Sequence, residues 1–305
     1  MPRETTYGFE AEFDVNATSV MQRLHEYGFA GSDHLHGYHC DCDDCVNRNG
    51  YPFRGQTDSS CAGEIISDIF GASEYYPQVE WDNLGYITEP RLVMTLCNIA
   101  VDVDAEPGFN SGFHVHVGLY GLSPNQLARG FWQFVRWEPV LQRIAAGRWS
   151  SMRDNNDTVR MMMNHTYASL TSSPLTARSA LDNTLDEGER MHMMVRHQTN
   201  DRHSNLNIGA RRTPTWEFRL WNSTRAAWRM WMYCDISKAF MDPEFITLVE
   251  GLNPPQRFRR PSAGINLLAD AADQCGYDGL PEALLRQAYY LDEKAQHAPE
   301  LLTIG

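Results

Sequence analysis

The sequence predicts an α+β fold, because short runs of alternating polar and apolar residues are separated by runs with helical spacing. The clearest alternation lies in residues 110–118, where His114 and His116 alternate with three large apolar residues. Residues 9–13 and 216–220 repeat the pattern. A period of two places alternate side chains on opposite faces of a strand. One face of the predicted sheet is therefore apolar, and the other carries acidic, imidazole and guanidinium groups.

The elements are predicted in order from periodicity and from their end signals. Gly28 ends the first helix, and the pair Ser123 and Pro124 begins the longest one. The predicted strands are Tyr7–Val15, Glu64–Phe70, Asn110–Gly118, Met191–Val195, Leu206–Ile208 and Trp216–Leu220, and the predicted helices are Thr18–Gly28, Thr88–Val103, Ser123 to about Ala146, Thr224–Phe240, Pro243–Leu252, Ala263–Gln274 and Pro281–Lys294. We expect one catalytic domain over 1–305, with an insert at about 31–61 and a helical C-terminal region at about 224–305.

The insert is rich in His, Cys, Asp, Asn and Gly and has too few apolar residues to order itself. Zinc is one candidate to order it, since thiolates and imidazoles are its usual ligands. A metal-free loop and redox-sensing thiols are the alternatives. The candidate ligands are Cys40, Cys42, Cys45 and Cys61, with His34, His36 and His39 as possible substitutes. The remaining cysteines, Cys97, Cys234 and Cys275, are expected to be buried thiols.

The bulk properties restrict the function. The 39 acidic and 26 basic residues give the chain of 305 residues a formal charge of −13, which disfavours a broad nucleic-acid footprint. The sequence contains no long apolar run and no signal-peptide pattern, so we expect a cytoplasmic protein that does not bind membranes.

The polar positions of the alternating strands are unusual for a solvated sheet face. They hold Glu10 and Glu12, His114 and His116, and then a carboxylate and a guanidinium on the last strand. An ordinary amphipathic sheet is the alternative for each strand taken alone. Carboxylates, imidazoles and arginines are, however, the groups that bind divalent cations and phosphates.

Four short blocks in this order resemble the amidoligase family of the glutamine synthetase-fold carboxylate-amine ligases. They are Gly8–Glu12, Asp58–Ser67, Ser111–Gly118 and Thr215–Leu220, and they span about two thirds of the chain. The resemblance implies a curved, mainly antiparallel sheet that is covered by helices. It also implies that ATP phosphorylates a substrate carboxylate and that an amine displaces the phosphate to form an amide.

The resemblance also implies roles for individual residues. Glu10, His114 and Glu217 would hold one Mg²⁺ or Mn²⁺ ion. Glu12 and Glu64 would hold a second ion on the amine side, where Glu64 also counts as a catalytic residue. His116 would contact the ATP phosphates and Arg219 the transferred phosphoryl group, and Arg202 and Asn205 would orient the nucleotide or the carboxylate.

Two other functions remain open at this stage. The same residues would suit a metal-dependent hydrolase, although no H-E-x-x-H helix occurs. A zinc-stabilised binding protein without activity is the third hypothesis. The partners of the ligase would be small-molecule or peptide carboxylates and amines, and the candidates include amino acids, polyamines and modified nucleobases. The sequence does not rank these substrates, and it leaves the oligomeric state undefined.

Overall fold

The computed structural model describes residues 5–37, 40–43, 50–59, 61–71, 89–108, 111–145, 171–172, 174–196, 204–208, 214–255 and 262–297. The chain divides into two compact units. The N-terminal unit comprises Thr6–His116 and Ser223–Cys234, and the C-terminal unit comprises Met1–Thr5, Val117–Asn222 and Asp235–Gly305. The prediction of a single catalytic domain stays a prediction.

The described strands belong to one open six-stranded sheet in the order β2-β3-β1-β4-β6-β5. With the helices, this sheet confirms the predicted α+β class. The glutamine synthetase-like curvature stays a prediction. The strands are β1 (Tyr7–Phe13), β2 (Phe53–Gln56), β3 (Gly63–Ser67), β4 (Gly112–Gly118), β5 (Leu206–Asn207) and β6 (Thr215–Asn222), and the helices are α1 (Ala17–Glu26), α2 (Glu89–Asp102), α3 (Pro124–Ala145), α4 (Pro174–Ser179), α5 (Glu187–Arg196), α6 (Ala227–Ala239), α7 (Pro243–Glu250), α8 (Ile265–Gln274) and α9 (Leu280–His297).

In the N-terminal unit, β1 pairs antiparallel with β3, and β3 pairs antiparallel with β2. One face of β1 is apolar, as the alternation predicts, and Phe9, Ala11 and Phe13 are almost completely buried. The ring of Phe9 lies 5.1 Å from that of Phe113, and Phe113 lies 6.1 Å from Tyr233. Burial of this aromatic face fixes the direction of the polar side chains, because neighbouring residues of a strand point to opposite faces.

In the C-terminal unit, α3 packs on β6. The ring of Phe134 meets Phe218 edge-on at 5.5 Å, and Phe131 meets Trp216 edge-on at 6.4 Å. Ser123 caps α3, since its Oγ accepts a hydrogen bond from the N–H of Gln126 at 3.3 Å. The alternation in β6 thus directs its even-numbered residues towards α3 and its polar residues away from it.

The predicted strand Met191–Val195 is wrong, because this segment lies within helix α5. Asp186 and Glu189 form a capping box: each side chain accepts a hydrogen bond from the backbone N–H of the other residue. The buried guanidinium of Arg190 then donates to the backbone oxygens of Ala180 and Asp182 at 2.5 and 3.0 Å. This acidic start, read from the sequence, would have favoured a helix.

Three further expectations differ from the structure. Helix α4 is absent from the predicted elements. Strand β2 is absent from the predicted elements, although Phe53 and Gly55 are buried in alternation with partly exposed neighbours. Cys97 and Cys234 are buried as expected, whereas Cys275 is only half-buried because it lies at the end of α8. Among the described helices, none has the length and apolar character needed to cross a membrane.

Candidate functional site

Two buried glutamates lie opposite each other in the N-terminal unit. The register of β1 and β3 pairs Glu12 with Glu64, and each residue is only 4% exposed. Glu12 accepts a hydrogen bond of 2.6 Å from the backbone N–H of Gly112. Glu64 accepts one from the amide of Gln56, its opposite residue on β2. Like charges directly opposite in a sheet are destabilising, so this pair is unusual for a purely structural sheet.

His114 of β4 connects Glu12 to Glu10, and His116 of the same strand also contacts Glu10. His114 Nδ1 lies 3.2 Å from Glu10 Oε2, and His114 Nε2 lies 3.6 Å from Glu12 Oε1. His116 Nε2 lies 3.3 Å from Glu10 Oε1. We call Glu10, Glu12, Glu64, His114 and His116 the acidic-imidazole cluster. All five are site residues predicted from the sequence, and the structure brings them together within one unit.

The electrostatics of this cluster are asymmetric. Burial, followed by the nearby charges of Glu10 and Glu12, raises the pKa of Glu64 to about 9. Burial acts in the same direction on Glu10, but the imidazoles of His116 and His114 outweigh it and hold the pKa of Glu10 well below its usual value. The two histidines therefore lower the pKa of Glu10 more than its burial raises it, whereas burial and acidic neighbours dominate the pKa of Glu64.

The donor set of the cluster fits a hard divalent cation. Carboxylate oxygens are the preferred ligands of Mg²⁺, and imidazole nitrogen also suits Mn²⁺ and related metals. A bound cation would offset the repulsion that raises the pKa of Glu64. Glu10, Glu12, Glu64 and His114 are the cluster members that would hold divalent cations.

A second polar group lies on β6 in the C-terminal unit. Glu217 is 6% exposed and accepts hydrogen bonds from Arg219, two residues further along the strand, and from Asn207 at 2.8 Å. Asn207 is the residue opposite Glu217 on β5. Sequence reasoning missed Asn207 as it missed Gln56, because each amide is recognised only from the register of its strand.

Asn205 has a different environment within the same unit. It is fully buried, and its side-chain amide donates to Glu138 of α3 at 2.8 Å. The backbone N–H and the hydroxyl of Thr171 also donate to Glu138, at 3.0 and 2.9 Å. Burial raises the pKa of Glu138 to about 7 against these hydrogen bonds. The nucleotide-orienting role of Asn205 stays a prediction, and the predicted catalytic residue Arg202 lies outside the described residues.

The Cys/His-rich insert contains a separate group of ligand atoms in the N-terminal unit. A nitrogen of His36 and the sulfurs of Cys40 and Cys42 lie within 4.8 Å of one another. Cys61 is not a member of this group, and burial together with the charge of Glu12 raises the pKa of its thiol to about 12. Cys45 and His39 lie outside the described residues.

Comparison with known proteins gives one match to a protein family. Residues 97–241 match the family model described as "Putative amidoligase enzyme". No curated protein matches the chain. The matched segment contains His114, His116, Glu217 and Arg219, whereas β1 and β3 precede it. The match confirms the predicted resemblance to the amidoligase family and supports a ligase-type enzyme.

Proposed function

We propose that this chain is an ATP-dependent carboxylate-amine ligase that forms an amide or peptide-like bond through an acyl phosphate. The observation that carries the proposal is the buried, directly opposed pair Glu12 and Glu64 beside Glu10 and two histidines. Without a bound ligand, burying these carboxylates together would only lower the stability of the sheet. Such a cost is typical of functional sites, where perturbed carboxylates cluster.

The proposed roles follow the chemistry of each side chain. Glu10 and His114 are assigned to one cation, and Glu12 and Glu64 to a second. Glu217 of β6 is assigned as a further cation ligand. Divalent cations would neutralise the phosphate charge of ATP. His116, which is partly exposed, is assigned to an ATP phosphate.

Arg219 is assigned to the transferred phosphoryl group, because a guanidinium is a preorganised donor for charge that develops on phosphate oxygens. Its side chain is 19% exposed, so the guanidinium is partly desolvated while still open to a ligand. The hydrogen bond to Glu217 restricts its rotamers and holds the donor in place before the substrate binds.

Calorimetry tests the cation dependence. We expect ATP to bind in the presence of Mg²⁺ or Mn²⁺ and to lose most of its affinity in EDTA. Equal ATP affinity with and without EDTA would contradict the proposal.

A product screen separates the proposal from its alternatives. Pools of carboxylates and amines are incubated with ATP, and ADP formation and amide products are followed by mass spectrometry. A ligase sustains ADP formation and yields an amide only when both pools are present. A metal-dependent hydrolase would consume a substrate without ATP, and a binding protein would form no ADP in any combination.

A further inference from the structure

The insert presents an imidazole and two thiols at the edge of the sheet in the N-terminal unit. His36 Nδ1 lies 3.5 Å from Cys42 Sγ and 3.9 Å from Cys40 Sγ. A tetrahedral zinc ion with Zn–S of about 2.3 Å and Zn–N of about 2.1 Å separates nitrogen and sulfur by roughly 3.6 Å. The two nitrogen–sulfur distances are therefore close to those that a shared zinc ion requires, and the two sulfurs lie within 4.8 Å of each other.

The tautomer of His36 also suits a metal ligand. The hydroxyl of Ser32 donates to the backbone oxygen of His34 at 3.1 Å, and the same Oγ lies 2.8 Å from His36 Nε2. A hydroxyl carries one proton, so Ser32 accepts a hydrogen bond from His36 Nε2. His36 Nδ1 therefore carries the lone pair, and it points towards Cys40 and Cys42. A hydrogen bond to the distal nitrogen is the usual way in which proteins orient a metal-ligating histidine.

The backbone of His36 connects this group to the edge strand β2. The N–H of His36 donates to the oxygen of Gly55 at 3.0 Å, and the N–H of Thr57 donates to the oxygen of His36 at 2.7 Å. His36 thereby forms a parallel bridge with Gln56, whose side chain donates to Glu64. An ion held by His36 would consequently stabilise the backbone beside the residue that orients Glu64.

We propose that His36 Nδ1, Cys40 Sγ and Cys42 Sγ bind a structural Zn²⁺ ion, with a fourth position for water or another donor, and that this ion holds the insert against β2. Two soft sulfur ligands and one imidazole favour zinc over Mg²⁺ or Ca²⁺. This inference goes beyond the proposed function and does not depend on it. Of the predicted ligands it keeps Cys40 and Cys42 and uses His36, a predicted substitute, in place of Cys61; Cys45 lies outside the described residues.

Elemental analysis of protein purified without chelators measures the metal content directly. We expect about one zinc ion per chain in the wild type and its loss in the double variant Cys40→Ser/Cys42→Ser. The matched control is Cys275→Ser, because Cys275 is a partly exposed thiol that belongs to the other unit. Equal zinc content in the double variant and the control would overturn the proposal, as would absence of zinc from the wild type.

Cobalt substitution keeps the proposal testable if the double variant does not fold. Addition of Co²⁺ to the zinc-depleted wild type should produce sulfur-to-cobalt charge-transfer absorption in the near ultraviolet, which glutamate and histidine ligands alone do not produce. Absence of this absorption, or a mass 2 Da lower from a disulfide between Cys40 and Cys42, would overturn it. Neither readout uses ATP, so failure here is distinct from failure of the ligase proposal.

Hydrogen exchange tests whether the ion holds the insert against β2. We expect hydrogen exchange at the Thr57 N–H to accelerate when zinc is removed from the wild type, since that N–H donates to His36. Exchange at the Ala62 N–H, which donates to Phe13, serves as the internal reference. Unchanged exchange at Thr57 after verified loss of zinc would refute the role at β2.

Discussion

Replacement of Glu64 by Gln should stabilise the protein in EDTA while weakening its response to divalent cations. Glu64 is buried opposite Glu12, and burial with these acidic neighbours raises its pKa from 4.5 to about 9. At pH 7 the folded state therefore retains a proton that the unfolded chain releases. The glutamine side chain introduced at this position would remain neutral in both states, and its Oε1 would still accept the hydrogen bond from Gln56.

The magnitude follows from the linkage between pKa and stability. For an acid with a raised folded pKa, stability is lost as the pH rises from the unfolded value to the folded value. Between pH 4.5 and pH 7 this loss is 2.5 pKa units, or about 3 kcal/mol at 1.36 kcal/mol per unit. In EDTA at pH 7, Glu64→Gln should raise the free energy of unfolding by up to this amount. A cation at 100 times its dissociation constant should return about 2.7 kcal/mol to the wild type, and much less to the variant.

Chemical denaturation at pH 7, in EDTA and in Mg²⁺, measures both effects. The matched control is Glu26→Gln, because Glu26 is an exposed carboxylate of the same unit that contacts Arg23 on the surface. This control should change stability by less than about 1 kcal/mol and leave the cation response intact. A Glu64→Gln variant that is less stable than the wild type in EDTA would refute the charge-repulsion argument. A variant that gains as much stability from Mg²⁺ as the wild type would refute the cation-binding role of Glu64.

Two further predictions concern the C-terminal unit. Arg219→Ala should lower ATP-dependent turnover by about 10²–10³ and leave the circular dichroism spectrum unchanged. The control Arg225→Ala, in the N-terminal unit, removes a surface contact to Glu106 and should leave turnover unchanged. Full activity of Arg219→Ala would show that its assigned role is wrong. Burial raises the pKa of Glu138 from 4.5 to about 7, so the folded state alone keeps this proton and stability should fall by about 3 kcal/mol between those pH values. Glu138→Gln should reduce the pH dependence of the unfolding free energy over that range, and an unaltered pH profile would contradict the assignment.

The alternation of residues accounts for the part of the candidate site that the sequence predicts. Glu10 with Glu12, His114 with His116 and Glu217 with Arg219 are two residues apart, so strand geometry alone places each pair on one face. The family match covers the second and third of these pairs. Partners across strands are not encoded in such spacing. Gln56 and Asn207 are identified as partners of Glu64 and Glu217 only by the pairing of β2 with β3 and of β5 with β6.

The sequence by itself determined which faces are polar, where most helices begin and end, and which residue types suit cations and phosphates, because these properties depend on local periodicity. Tertiary structure alone decided that Glu64 lies opposite Glu12, that two imidazoles neighbour Glu10, and that His36 rather than Cys61 joins Cys40 and Cys42. The physical reason is that register and loop placement depend on packing between residues far apart in the chain. A shift of one residue in that register would turn the carboxylates of β1 away from those of β3.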